Sequence, residues 1–216
     1  MDNKKKPVRG FKTNSNFFAN GGRHIGFEGL STIFELVDNS IDAEANQIEI
    51  KYTEDTKTKL KTIIVSDNGS GFASGSLLDS VQTWGSTRIY DNAQIGNFGV
   101  GMSATVNEVV QDGGTVSIET SDGNGTLERL VVKKDTPSED KDLDSKSIIK
   151  QESDILFITS SSPYFGESFT TIKLEGVRTK LTTQHIIKNT KVVYYPNFDR
   201  LDGNFSISVK NGKGPK

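Results

Sequence analysis

Between Phe27 and Ala43 the apolar residues Leu30, Phe34, Val37 and Ile41 recur at spacings of four, three and four. That period predicts an amphipathic helix, and such a helix is stable only when its apolar stripe is covered. Roughly opposite the stripe fall Glu35, Asn39 and Asp42, at i, i+4 and i+7, on one shared face. Asp38, Asn39 and Ser40 are poor helix formers, so propensity alone does not account for them in mid-helix. Two segments rich in Ile, Val and Thr follow, at 47–53 and 60–66, joined by the polar turn Glu54-Asp55-Thr56-Lys57. They predict strands, and hence a sheet for the helix to lie on.

The rest of the chain continues the mixture. A short helix is predicted near 75–82, a long loop over 83–98, and a helix from Val100 to Val110. Strands are expected at 114–120 and 126–133 about the hairpin turn Asp122-Gly123-Asn124-Gly125. Residues 134–152, charged and serine-rich, predict a solvated loop. Strands at 154–159, 169–174 and 205–209 and a helix at 181–193 complete the reading. The fold class expected is α+β, a two-layer sandwich with helices on one face of a mixed, mostly antiparallel sheet. Residues 1–24 are expected to be an N-terminal strap or tail, with Phe11, Phe17 and Phe18 as anchors, and 25–216 one domain, cut from a longer protein.

Composition narrows the function classes. The 26 basic and 28 acidic residues nearly cancel, so no overall basic field makes nucleic acid an obligatory partner of this domain. The absence of cysteine excludes disulfides, thiolate metal sites and cysteine nucleophiles. No apolar run approaches the ~18 residues of a membrane span, and no signal sequence opens the chain. A soluble, intracellular protein, cytoplasmic or nuclear, is expected. Glycines are concentrated between Gly69 and Gly125, where loops would have to approach a ligand closely.

Three stretches carry the chemistry. A glutamate such as Glu35, on a helix above a nucleotide, can take a proton from an attacking water. Asn39, one turn on, can offer its amide oxygen to Mg²⁺, which holds phosphates. Asp67-Asn68-Gly69-Ser70-Gly71 follows the strand Ile63-Ile64-Val65. An aspartate there can accept the exocyclic amine of adenine, with Gly69 and Gly71 letting the backbone bend beneath the base; an ordinary Asp-Asn-Gly turn is the competing reading. A calcium loop lacks its glutamate about twelve residues on. Gly96-Asn97-Phe98-Gly99-Val100-Gly101 runs into a helix whose N-terminus can hold phosphate oxygens. It is neither a Walker A loop nor a dinucleotide fingerprint. On the late strand 169–174, Thr170 could reach adenine through water, or be an ordinary strand threonine.

Together these segments resemble the GHKL superfamily, the Bergerat-fold ATPases of the gyrase, heat-shock-chaperone, histidine-kinase and MutL type. Glu35-x-x-x-Asn39, Asp67-x-Gly69-x-Gly71, Gly96-x-x-Gly99-x-Gly101 and Thr170 resemble its four motifs, in order, over about residues 25–175. The resemblance implies Mg²⁺-dependent ATP binding and hydrolysis, with Glu35 as base, Asn39 on the metal, and Asp42, Asp67 and Thr170 among the nucleotide contacts. The segment Ile95 to Ala104, which includes Met102, is similar to that of microrchidia (MORC) and chaperone ATPases. Trp84-Gly85-Ser86-Thr87-Arg88 looks like the MORC-like lid, which places Ser86 and Arg88 near the phosphates and the lid at about 72–98. ATP-dependent homodimerisation is implied, with nucleic acid reached through parts outside this chain. Members of the gyrase and MORC type complete their site with a lysine from a following transducer domain, so slow turnover is expected in isolation. Two alternatives stand beside this one. The first is a nucleotide-gated interaction module with negligible turnover. The second is a histidine-kinase catalytic domain, for which His24 and His185 are the only candidate acceptors, neither in a phosphoacceptor context.

Overall fold

In β2 (Gln47–Glu54) and β3 (Lys61–Asp67) burial alternates residue by residue, as it must when one face of a pleated strand is covered and the other faces water. The computed structural model describes residues 11–12, 29–84, 101–134, 148–152, 155–194 and 205–212. Among them, β5 (Thr115–Ser121), β6 (Thr126–Lys134), β7 (Ile148–Glu152), β8 (Ile155–Pro163), β9 (Phe169–Val177) and β10 (Ser206–Asn211) join β2 and β3 in one sheet. The strand order is β10-β2-β3-β9-β5-β6-β8-β7. Only β10 runs parallel to its neighbour, β2. A separate ribbon pairs β1 (Phe11–Lys12) with β4 (Thr83–Trp84), Phe11 opposite Trp84.

Register turns the alternation into continuous rows. Tyr52, Ile63, Leu174, Val116, Val132 and Phe157 lie side by side across six strands. Ile50, Val65, Ile172, Ile118 and Leu130 form the next row. All are buried in one cluster. Truncating one of these isoleucines or leucines to alanine removes about 2–5 kcal/mol in a core of this kind. The opposite face carries charges that pair along and across strands: Lys51 with Glu49 at 2.5 Å, Lys173 with Glu175 at 2.7 Å, Arg129 with Glu119 at 2.6 Å, and Lys210 with Glu49.

Helices cover the apolar rows. They are α1 (Gly29–Asp42), α2 (Leu77–Gln82), α3 (Gly101–Gln111) and α4 (Thr183–Tyr194). The buried residues of α1 are Thr32, Ile33, Leu36, Val37 and Ser40. The deepest face is therefore turned from the expected stripe, in which Leu30, Phe34 and Ile41 are only partly buried. Ser40 is the reason: a polar residue holds a buried position, and its hydroxyl finds partners there. From α2, Leu77 and Val81 enter the same core. The expected loop at 134–152 is corrected at its end, where β7 pairs with β8 from Ile148↔Thr159 to Glu152↔Ile155. Charged composition favoured a loop, yet the strand lies at the sheet edge, where polar residues are tolerated.

Candidate functional site

The covered face of the sheet changes character at one end. The row beyond Ile50–Val65–Ile172–Ile118 is Ile48–Asp67–Thr170–Thr120. Since strand side chains alternate, Asp67, Thr170 and Thr120 point to the same side as the core. Thr120 and Thr170 are buried with their hydroxyl oxygens 3.2 Å apart. The Thr120 hydroxyl donates to the Phe169 carbonyl at 2.9 Å and accepts the Phe72 amide at 3.0 Å. One side chain thus fixes the start of β9 and the end of the glycine turn.

Asp67 sits where β3 meets α1. Its Oδ1 accepts the Gly69 amide at 2.9 Å, and its Oδ2 accepts the Ser40 hydroxyl at 2.8 Å. Burial holds the carboxyl above its ordinary value, opposed by the Gly69 amide, the Ser40 hydroxyl and the Thr170 amide. A carboxylate has about four lone-pair positions, so acceptor capacity remains for a ligand. The turn after Asp67 is locked to α1 by the Ser70 amide, which donates to the Ala43 carbonyl at 2.8 Å. At Gly69 a Cβ would lie 2.7 Å from that carbonyl oxygen. Gly71 has φ +68°, and a Cβ there would run into the Ser121 carbonyl. Both positions therefore need glycine, for close approach and, at Gly71, for the left-handed backbone.

Glu35, Asn39 and Asp42 occupy one half-buried face of α1, away from Ile33, Leu36 and Val37. Burial is the largest influence on Glu35 and raises its pKa; the charges of Asp38 and Asp42 raise it further. Asp38 is also raised by burial, with the Tyr194 hydroxyl, donating to its Oδ1 at 2.8 Å, acting against the rise. Among the described residues no lysine or arginine pairs with Glu35, Asp38 or Asp67. An acidic helix face with one neutral amide oxygen suits a hard cation. No group of three His, Cys, Asp or Glu side chains gathers into a metal site among the described residues. Asn39 offers one amide oxygen, a donor that suits an ion such as Mg²⁺, which takes one or two protein oxygens and keeps water and phosphate for the rest.

Of the residues expected from sequence, the structure joins Glu35, Asn39 and Asp42 on α1 to Asp67, Gly69 and Gly71 through Ser40, and sets Thr170 opposite Asp67 in register. Gly101 opens α3, and Met102 packs against the core cluster. Ser86, Arg88, Gly96, Asn97, Phe98, Gly99 and Val100 lie outside the described residues. Sequence reading missed Ser40, Thr120 and Tyr194. Only Ser40 carried a signal, as a poor helix former on the buried side of α1.

Comparisons with known proteins agree with this geometry. A family model described as histidine kinase-, DNA gyrase B-, and HSP90-like ATPase matches residues 28–162. No curated protein sequence matches the chain. Among solved structures, the N-terminal domain of a DNA repair protein is similar, at 19% identity and a TM-score of 0.51, covering 91% of this chain and 52% of that one. The Aquifex aeolicus MutL ATPase domain complexed with ADP is similar at 13% identity and a TM-score of 0.51, covering 85% of this chain and 60% of that one. The chain thus spans between half and three fifths of the structures it resembles. At these identities the likeness shows the fold, an α+β sheet with helices, while the family match covers more than half of the chain. The chain belongs to the histidine kinase-, DNA gyrase B- and HSP90-like ATPases, the GHKL superfamily.

Proposed function

We propose that the chain binds Mg-ATP and hydrolyses it, using the cycle to drive a conformational change. The observation that carries this reading is the hydrogen bond from Ser40 to Asp67, which joins the acidic face of α1 to the polar row of the sheet as one site. Asp67 accepts the exocyclic amine of adenine, and Thr170, opposite it, reaches the base through water. Gly69 and Gly71 leave room beneath the base. Asn39 holds Mg²⁺, which neutralises phosphate charge when bound. Asp42 lies on the same face. Glu35 takes the proton of the attacking water, and a raised pKa makes it a stronger base than an ordinary glutamate. The phosphates are assigned to backbone amides of the glycine-rich segment Gly96, Asn97, Phe98, Gly99, Val100, Gly101 and Met102, and to Ser86 and Arg88 of the lid.

The lid, about residues 72–98, includes α2, whose Leu77 and Val81 are buried in the core. Its closure over ATP promotes homodimerisation within a larger MORC-like or topoisomerase-like machine. That machine acts inside the cell and reaches nucleic acid through other parts. The DNA repair and MutL neighbours support a setting of this kind. Phosphate release from the purified protein tests the chemistry. Glu35→Ala should reduce turnover by about 10²–10³-fold while ATP still binds. Asn39→Ala should lose Mg²⁺-dependent ATP affinity. Unchanged turnover in Glu35→Ala would overturn the base assignment, whereas ATP binding without phosphate release by the wild type would leave a nucleotide-gated module as the function.

A further inference from the structure

We propose that Tyr194 is a positioning residue for the hydrolytic base: it clamps the turn of α1 that carries Glu35 and ties the last helix to the chemistry. The inference rests on the hydrolysis reading above. Tyr194 is the final residue of α4 and 3% exposed. Its hydroxyl lies 2.8 Å from Asp38 Oδ1 and 3.2 Å from the Phe34 carbonyl oxygen. Its ring meets the Phe34 ring edge-on, centroids 5.7 Å apart. Phe34 precedes Glu35 by one residue and Asp38 follows it by three, so three contacts from one side chain bracket the base within a single helical turn.

The rest of the buried face of α4 offers no comparable polar link. It consists of Ile186 and Thr190, and among the described residues the buried Thr190 hydroxyl has no hydrogen-bond partner. A hydroxyl donating to a buried carboxylate is directional and strong, whereas apolar packing is neither. Tyr194 thus sets the rotation and height of α1 at Glu35, and it occupies one oxygen of the carboxylate adjacent in sequence to Asn39. A displacement of about 1 Å at a reacting group can cost 10²-fold in rate while leaving affinity alone.

The test is steady-state ATP hydrolysis by Tyr194→Phe, Asp38→Ala, their double variant and Asp38→Asn, with amide hydrogen exchange on the same proteins. Phenylalanine keeps the ring contact, so Tyr194→Phe should fold. The expected result is about a tenfold fall in kcat with KM within about twofold. The double variant should fall no further than the worse single variant. Asp38→Asn, whose amide oxygen still accepts the hydroxyl proton, should recover most of the loss of Asp38→Ala. Exchange should quicken at residues 38 and 39 in Tyr194→Phe and stay unchanged at the start of α1. Turnover of Tyr194→Phe equal to wild type, additive losses, or faster exchange throughout the molecule would each overturn the clamp. A wild-type protein without Glu35-dependent turnover overturns the hydrolysis reading instead, and the exchange comparison then decides alone whether the clamp exists.

Discussion

α1 and α3 cover the same sheet face, yet they treat their buried polar groups in opposite ways. On α1 the Thr32 hydroxyl donates to Glu108 at 3.3 Å, Ser40 reaches Asp67, and Asp38 receives Tyr194. On α3 the Thr105 hydroxyl and both amide atoms of Asn107 are buried without a hydrogen-bond partner among the described residues. The polar groups of α1 have been recruited to fix its position to a fraction of a turn. Those of α3 only cost stability as it stands. Their ends differ too. Both helices close with a left-handed residue, but α3 uses Gly113 at φ +85° and α1 uses Glu44 at φ +61°, where a side chain is strained. The site helix is thus held by polar contacts along its length, whereas the polar links of α3 include Glu108 with Thr32 and, at its last residue, the Gln111 carbonyl with Lys134.

The largest expected effect is in pH. Glu35, Asp38 and Asp67 all have carboxyls raised chiefly by burial, whereas Glu108, also raised by burial, is the only such group on α3. A carboxyl raised in the folded state binds its proton more tightly there than in the unfolded chain. Its contribution to stability is therefore full below the ordinary carboxylate range and lost as pH rises through the folded value. Denaturant midpoints of the nucleotide-free protein measured between about pH 4 and pH 8 should show this loss. Asp67→Asn, which removes the titrating group and keeps one acceptor oxygen in place of two, should reduce it while weakening nucleotide binding at least about tenfold.

Next in size, Asn107→Leu should stabilise by about 2 kcal/mol in urea unfolding, because two unpaired buried polar atoms disappear at similar volume. A loss instead would mean that α3 has a partner for this amide, and the contrast between the helices would dissolve. Ser40→Ala should destabilise by about 1.5 kcal/mol, since it strips a hydrogen bond from a buried carboxylate. The smallest change belongs to the helix ends. Glu44→Gly should stabilise by about 0.5–1 kcal/mol, and the same measurement on Gly113→Ala should show a loss.

These contacts also explain what could be read in the sequence. Glu35, Asn39, Asp67 and Thr170 could be singled out as candidates because individually weak patterns fall in one order along the chain, and Asp67 and Thr170 lie opposite each other across a strand pair. Fold class was legible because β2, β3, β5, β6 and β9 alternate visibly. The turned face of α1 was not, since Ser40 interrupts the run formed by Ile33, Leu36 and Val37. Thr120 and Tyr194 were beyond reach for a different reason. Tyr194 meets Asp38 across 156 residues of chain, and Thr120 meets Thr170 across 50, distances at which no local pattern survives.

The polar row of the sheet has one further consequence. Asp67, Thr170 and Thr120 stand in line with the isoleucines and valines of the core, differing from them only in chemistry. Replacing the row with valines would extend the apolar core by one layer, but it would take the side-chain acceptors from the Gly69 and Phe72 amides. Sequence redesign that rewards apolar burial alone would erase this row, so screens for hardier variants need nucleotide binding as a second criterion from the outset.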